Sequence, residues 1–327
     1  MRTVPPPAPE RPWLVADIGG TNARFGLVEA PGARPAHVLG RNCADYPGLA
    51  AAAEDYLRQV DGGVRPGAAC VAIAGPVTGD RIRLTNARWD CSAYGTRDRL
   101  GLAHLDVLND FAALALALPR LGADDVLHLG GPAPGADGPM AVLGPGTGLG
   151  VAGLLPTPVG WTPISGEGGH VDVPAADDRE SDIVRLLQGE QGTVSAECLL
   201  SGPGLTRLYG ALARLRGVPG GGPAAADICA AQDDPLCAET LEVFCGLLGG
   251  FAGNVALTMG ATGGVFLGGG ILPRMRGTLL RSGFRRRFEE KHRMIDYVKD
   301  IATSLIVAPT PALLGAAARL EQRLEQE

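Results

Sequence analysis

A chain of 327 residues, 46% of them hydrophobic, is long enough to build two domains with real cores and too apolar to be intrinsically disordered. Its net charge of -6 and pI of about 5.5 argue against nucleic acid or an anionic membrane as a partner, because both call for a basic face. An anionic ligand must then be held by local backbone dipoles or by a metal ion.

The first twelve residues, MRTVPPPAPERP, lack an apolar h-region and read as a proline-rich tail, not as a secretory signal. From Trp13 to Glu29 the sequence WLVADIGGTNARFGLVE predicts a strand (Trp13 to Ala16), a glycine-bearing turn (Asp17 to Asn22) and a returning strand (Arg24 to Glu29). Gly19 and Gly20 let backbone N–H groups turn outward toward a phosphate. Thr21 and Asn22 add side-chain donors, and Asp17 is placed to hold a divalent cation, directly or through water. An ordinary β-hairpin with Gly-Gly at its bend fits the same residues, so this stretch alone does not decide between the two.

His37 to Asn42 reads as a third strand, Pro47 to Val60 as an alanine-rich helix and Ala69 to Ala74 as a buried strand. Arg81 to Leu84 alternates as a strand and leads to a loop with Thr85, Asn86 and Trp89, after which Ser92 to Leu100 is a helix. Asp106 to Leu108 ends a strand and Phe111 to Leu118 forms a helix stopped by Pro119, leaving Asn109 and Asp110 at the joint. Ligands of open α/β sheets bind beyond the carboxyl ends of strands, which makes Asp110 a catalytic candidate. A helix cap is the alternative role, and the two are compatible.

A second lobe is expected from Leu121, with a strand at Val126 to Leu129. Ala141 to Val151, AVLGPGTGLGV, then repeats strand, glycine-and-threonine turn and strand, with Gly144, Gly146, Thr147 and Gly148 at the bend. Two such turns facing each other would clasp the two ends of one polyphosphate. The common lysine-based grips are excluded, because the only lysines, Lys291 and Lys299, lie outside the glycine loops. The dinucleotide fingerprint fails too, with Leu149 where its third glycine belongs. Ser165 to Asp172, SGEGGHVD, projects Glu167 and His170 from a glycine loop, and Glu197 follows in Ser195-Ala-Glu-Cys198. Acidic and imidazole groups without a basic cluster suit hydrogen bonds to neutral hydroxyls, as in a sugar, while metal ligation by Glu167 and His170 lacks a clear third ligand.

Val243 to Pro273 carries no charged residue and contains Gly249-x-x-x-Gly253, a pattern of membrane helix dimers. Gly260, Gly263, Gly264 and Gly268 to Gly270 break it into a buried helix ending near Met259, a strand Val265 to Leu267 and a glycine turn. The seven cysteines form no C-x-x-C pair and are expected as buried free thiols of a cytoplasmic protein.

Trp13 to Val28, Leu108-Asn-Asp-Phe111, Gly144-Pro-Gly-Thr-Gly-Leu-Gly150, Gly166-Glu-Gly-Gly-His170, Ser195-Ala-Glu197 with Leu200-Ser-Gly-Pro-Gly204, and Gly263-Gly-Val-Phe-Leu-Gly-Gly-Gly270 together resemble the bacterial glucokinase family, in its order and spacing, over nearly the whole chain. The resemblance implies an α/β, two-lobed actin-like ATPase (ribonuclease H-like) fold. Its cleft would lie between a small domain, residues 13–120 with a C-terminal helix 311–327 returning to it, and a large domain, residues 121–310. It further implies phosphorylation of D-glucose to glucose 6-phosphate by ATP and Mg2+, feeding glycolysis, in a cytoplasmic homodimer. Carried over by motif, Asp110 is the general base, and Asn109, Asp110, Glu167, His170 and Glu197 bind the sugar. Ala16, Asp17, Ile18, Gly19, Gly20 and Thr21 form the ATP-phosphate motif, Gly146, Thr147 and Gly148 the second phosphate loop, and Gly268, Gly269 and Gly270 the adenosine loop.

Departures from related families matter as well. Asp172 to Asp178 has no cysteine where the related repressor and sugar-kinase family carries a zinc motif, so no structural zinc is expected. Thr310-Pro311-Ala312 replaces the family's Asn-Pro-Gly and is assigned no ligand contact. A non-enzymatic sugar sensor would add a basic DNA-binding module, for which no room is seen before Trp13. An acyl-phosphate-forming kinase would hold its carboxylate substrate with arginine or lysine, not with Asn109, Glu167 and Glu197.

Overall fold

The structure, a computed structural model, describes all residues except 1–2, 61–63, 76, 78, 85–88, 136, 219–221 and 327. Thr85 and Asn86, expected in a loop, therefore lie outside the described residues. The chain divides into two compact units, the first Met1–Leu121 with Pro156–Ser165 and Ala308–Glu327, the second Gly122–Leu155 with Gly166–Val307.

The chain begins with strands β1 (Trp13–Ile18), β2 (Asn22–Val28) and β3 (Ala36–Asn42), helix α1 (Leu49–Val60) and strand β4 (Ala68–Ile73). A small hairpin of β5 (Arg81–Arg83) and β6 (Asp90–Ser92), then α2 (Ala93–Arg99), β7 (His104–Asn109) and α3 (Asp110–Ala117) follow. Next come β8 (Val126–Gly130), β9 (Met140–Pro145), β10 (Leu149–Thr157) and β11 (Gly160–Gly166). Helices α4 (Asp178–Gln191), α5 (Ala196–Leu199), α6 (Gly202–Leu215), α7 (Ala225–Ala230) and α8 (Pro235–Met259) precede β12 (Gly264–Leu267). The chain ends with α9 (Arg276–Arg281), α10 (Phe284–Glu289), α11 (Ile295–Lys299), β13 (Thr303–Ile306) and α12 (Pro311–Glu325).

The first sheet runs β3-β2-β1-β4-β7, with β1, β4 and β7 parallel and the two hairpin partners antiparallel. Helices cover both of its faces, which is why β1 reads as an unbroken apolar run. Alternate residues go to opposite sides. Trp13 and Val15 pack with Leu313, Ala316, Ala317 and Leu320, an i, i+3, i+4, i+7 stripe of α12. Leu14, Ala16 and Ile18 pack with Leu49, Ala52, Ala53 and Tyr56, the same spacing on α1. Each fully buried leucine in these stripes contributes about 1.5–3 kcal/mol.

The proline-rich N-terminus is not a free tail. Val4 is buried with the α12 cluster, and Trp13 Nε1 donates to the Pro5 carbonyl at 2.7 Å, so the described part of this stretch is docked on its own unit. Residues 156–165 belong to the first unit as well, and Gln322 Nε2 on α12 donates to the Trp161 carbonyl at 2.9 Å.

The second sheet runs β11-β10-β9-β12-β13-β8. Apart from the antiparallel β8 added at its edge, it repeats the plan of the first: a three-strand meander followed by two parallel neighbours. Helix α8 is long and apolar enough to span a membrane by length and composition, yet 83% of its most apolar window is buried in the second unit. Its small residues admit the neighbouring α10. A Cβ on Gly249 would collide with the Phe284 carbonyl oxygen, and one on Gly253 would lie 2.5 Å from that of Phe288. The Gly-x-x-x-Gly pattern therefore serves close helix packing inside a globular core.

Strands β6, β11 and β13 and helices α4, α5, α6, α7, α9, α10 and α11 are not among the elements expected from the sequence. β6 has three residues, and β11 carries Pro163 with little apolar alternation. The signal for α4 was its cap, since Asp177 accepts from Glu180 N at 2.7 Å, while only Ile183 and Leu187 bury apolar side chains there. Five cysteines are buried free thiols and two, Cys91 and Cys198, are half-buried.

Helices α3 and α12 meet at Gly315, where an added Cβ would strike the Ala113 carbonyl oxygen. Gly315→Val is therefore expected to destabilise the protein by at least about 1–3 kcal/mol, the usual cost of overpacking, read as a lower urea midpoint. An unchanged midpoint would show that the two helices can separate freely.

Candidate active site

Parallel pairing places the first group of candidate residues. Ile18 lies opposite Ile73 and Ile73 opposite Asn109, so the carboxyl ends of β1, β4 and β7 are level. The Ala74 N–H donates to the Ile18 carbonyl at 3.0 Å and extends this edge. Ala16, Asp17 and Ile18 are strand residues, and Gly19, Gly20 and Thr21 make the turn, closed by Gly19 N to Asn22 O at 2.9 Å. The expected turn began at Asp17; pairing of Asp17 with Arg24 and of Ile18 with Ala23 carries the strand two residues further.

Period-two alternation puts Asp17 on the face of β1 that bears Trp13 and Val15. Ala72, its register partner on β4, packs with Ala113 of α3 and Ala312 of α12 on one side of the sheet. Asp17 thus emerges on the side covered by α3, whose first residue is Asp110. Burial is the largest influence on Asp17 and raises its pKa, while Arg24, with Nη1 3.6 Å from Oδ2, opposes the shift. Asp110 is pushed up to about 6 from the ordinary 3.8, chiefly by burial and further by the Asp17 carboxylate; the Phe111 N–H, 2.9 Å from Oδ1, works the other way.

The helix cap is Asn109. Its Oδ1 accepts from Phe111 N at 3.0 Å and Ala112 N at 3.2 Å, and its Nδ2 donates to the Gly75 carbonyl at 3.2 Å. Asp110 sits one position inside the helix, so the capping role open to it in the sequence belongs to its neighbour. Capping uses the Asn109 oxygen and leaves one amide hydrogen for another partner.

In the second unit the candidates converge on Leu149, the residue that follows the turn Gly146–Gly148. Glu197 Oε2 accepts from Leu149 N at 2.8 Å, in the space that a Cβ on Gly148 would fill. On the Gly166–His170 segment, a Cβ on Gly169 would strike the Leu149 carbonyl oxygen, while one on Gly168 would lie 3.0 Å from Val151 Cβ. Val171 and Ser195-Ala-Glu197 are joined by Ala196 N to Val171 O at 2.8 Å. Glu167, the N-cap, and His170, the last residue, are exposed at the two ends of a single 3-10 turn. The Gly146 carbonyl accepts from Gly202 N at 2.8 Å, at the start of α6, whose N-cap is Ser201.

Gly268, Gly269 and Gly270 follow β12 and touch the end of β9. A Cβ on Gly144 would lie 2.6 Å from the Gly268 carbonyl carbon, and Gly269 has φ of +85°. The structure thus joins Gly146, Thr147, Gly148, Glu167, His170, Glu197 and Gly268–Gly270 into one cluster, and Ala16–Thr21, Asn109 and Asp110 into another. Among the described residues, no group of three or more His, Cys, Asp or Glu side chains is arranged as a metal cage. Sequence reasoning missed Arg24, Leu149 and Ser201. Counting the hairpin register outward from its turn finds Arg24 opposite Asp17, but nothing local marks Leu149, whose contribution is a backbone N–H.

The family model described as Glucokinase matches residues 14–323. The glucokinase of Chromobacterium violaceum is 49% identical over 316 residues, covering 96% of this chain and 90% of that one. The glucokinase of Aromatoleum aromaticum is 47% identical over 319 residues, covering 97% and 96%. A solved glucokinase from an Antarctic psychrotroph superposes with a TM-score of 0.88 at 38% identity, covering 95% of this chain and 98% of that one. At 18% identity, a ROK family glucokinase from Streptomyces griseus, in complex with glucose and AMPPNP, shares the fold with a TM-score of 0.62, covering 95% and 99%.

The folded protein holds the Asp110 proton more tightly than the unfolded chain does. Stability contributed at this site therefore falls as pH rises from about 4 to about 6 and stays lower above that, by about 3 kcal/mol at most. Asp110→Asn removes the charge and keeps the shape. It is expected to raise the melting temperature at pH 7 and to lose that advantage below pH ~4. An equal gain at both pH values would show that the buried charge is not the cause.

Proposed function

The chain belongs to the glucokinase family, has the two-domain actin-like ATPase fold and is an ATP-dependent glucose kinase, and from that premise we propose that Asp110 is its general base. The observation that carries this reading is the basicity of Asp110: a half-buried carboxylate at the carboxyl edge of three parallel strands, with its pKa pushed up to about 6. At neutral pH it is ionised yet basic enough to accept a proton, as a general base must be.

In the reaction the 6-hydroxyl oxygen of glucose attacks the γ-phosphorus of ATP. The O–H bond breaks, its proton passes to the Asp110 carboxylate, a new O–P bond forms, and the bond from the γ-phosphorus to the bridging oxygen breaks to leave ADP. Little else needs covalent help, so the remaining residues bind and orient. We assign Asn109, Asp110, Glu167, His170 and Glu197 to the sugar. The glycine turns supply backbone N–H groups to ATP: Ala16–Thr21 and Gly146–Gly148 to its phosphates, Gly268–Gly270 to the adenosine. The N-terminus of the 14-residue α6, tied to Gly146, adds a favourable dipole beside the second turn.

Mg2+ fits the first cluster. The Asp17 carboxylate helps raise the Asp110 pKa, burial raises that of Asp17, and Arg24 Nη1 stands 3.6 Å from Asp17 Oδ2 with half of its side chain exposed, so two carboxylates share a site short of positive charge. Mg2+ takes one or two carboxylates together with phosphate oxygens and waters, not a full protein cage, and Asp17 would be its anchor, directly or through water. When bound, it neutralises charge on the phosphates. The same reading makes the enzyme a cytoplasmic homodimer.

ADP release is expected to require glucose and Mg2+ and to fall as pH drops below about 6, where Asp110 becomes protonated. Asp110→Asn should lower kcat by roughly 10²- to 10⁴-fold with a much smaller change in glucose KM. A folded, glucose-binding variant turning over near the parental rate would remove Asp110 from the mechanism.

A further inference from the structure

We propose that Glu197 is a positioning residue for the nucleotide as well as a ligand for the sugar, with a single carboxylate joining the two subsites of the second unit. The inference rests on the reading of Glu197 as a sugar ligand and of Gly146–Gly148 as a phosphate turn.

The two oxygens of this carboxylate are used differently. Oε2 accepts from Leu149 N at 2.8 Å, at the exit of the turn, and Gly148 leaves room for it by lacking a side chain. Oε1 takes no hydrogen bond from the described residues, and Glu197 lines a cleft of about 370 Å³ together with Thr147 of the turn. No ion pair to Glu197 occurs among the described residues, so the bond to Leu149 is what orients it. The other supports of the turn are backbone to backbone: Gly202 N to Gly146 O and Gly146 N to Gly148 O, both 2.8 Å.

A sugar hydroxyl donating to Oε1 fixes the Glu197 rotamer. A fixed rotamer holds Oε2 on Leu149 N and, through it, holds the Thr147–Gly148 backbone in the conformation that presents its N–H groups to phosphate. Ordering the flexible glutamate side chain is then a cost met once, by whichever ligand binds first, and the second ligand binds more tightly. Linkage makes the effect reciprocal: glucose improves nucleotide affinity by the same factor as nucleotide improves glucose affinity.

Calorimetric titration of the full chain with AMPPNP in Mg2+ buffer, with and without glucose at a concentration set by separate glucose titrations, reads this factor. In the parent, glucose is expected to lower the AMPPNP Kd by about 5-fold or more, within the usual range of such coupling. Glu197→Gln retains an oxygen acceptor for Leu149 N. It should leave the sugar-free AMPPNP Kd near the parental value while weakening glucose. Glu197→Ala should weaken sugar-free AMPPNP binding and reduce the glucose-dependent gain to near 1-fold.

A parent without the gain, or an alanine variant that keeps it, overturns the inference even if glucose binding is weakened. Glucose binding unchanged in both variants overturns the sugar-ligand reading and the inference with it. Should Glu197→Ala fail to fold, Gly148→Ala tests the link from the other side, because its Cβ displaces the Glu197 carboxylate from Leu149. The glucose-dependent gain should again vanish, and its survival there overturns the inference.

Discussion

Everything in the first cluster depends on the parallel pairing of β1, β4 and β7. That pairing sets Ile18, Ile73 and Asn109 level with one another, so a turn after β1 and a helix after β7 begin at the same edge of the sheet. Shifting β1 by one residue would turn Asp17 to the α1 face and Trp13 out of its cluster with α12. The hydrophobic core and the placement of the acidic groups are therefore enforced by the same register. Apolar residues on both faces of β1 make a slip costly, and Asp17 is held on the α3 side as a consequence.

Electrostatics follow from that placement. Two half-buried carboxylates on one side of a sheet edge, with Arg24 half-exposed beside one of them, cannot both be comfortable as anions. The fold tolerates this because rigid elements carry both groups: Asp17 inside a strand paired on both sides, and Asp110 in a helix capped by Asn109 and backed by α12. A carboxylate with a raised pKa is held there at some expense of stability, a trade common at functional sites.

In the second unit, glycine provides proximity. Gly148, Gly169 and Gly144 each leave space that a neighbour occupies: the Glu197 carboxylate, the Leu149 carbonyl and the Gly268 backbone. The glycine runs Gly146–Gly148 and Gly268–Gly270 and the segments bearing Glu167, His170 and Glu197 thus form one contiguous framework around β9 and β10. The same principle operates in the core, where Gly249 and Gly253 of α8 admit the backbone of α10. High glycine content here reflects dense backbone packing.

The sequence by itself determined most strands, helices α1, α2, α3 and α8, both glycine turns and the joint at Asn109–Asp110, because these depend on periodicity, turn chemistry and proline stops within a few residues. It also determined that glycines break the apolar run Val243 to Pro273 after the end of α8. Tertiary structure alone decided that Asn109, not Asp110, caps α3, since either residue satisfies the local rule and only the chain direction after β7 selects between them. It decided that the proline-rich N-terminus packs, because Val4 and the Pro5 carbonyl meet partners on β1 and on α12, a helix some three hundred residues later. The basicity of Asp110 comes from burial and from Asp17, on a different strand. The bond from Glu197 to Leu149 joins residues 48 positions apart. Propensity and spacing act over one or two turns of chain, whereas burial, charge coupling and close approach arise between segments that only the completed fold brings together.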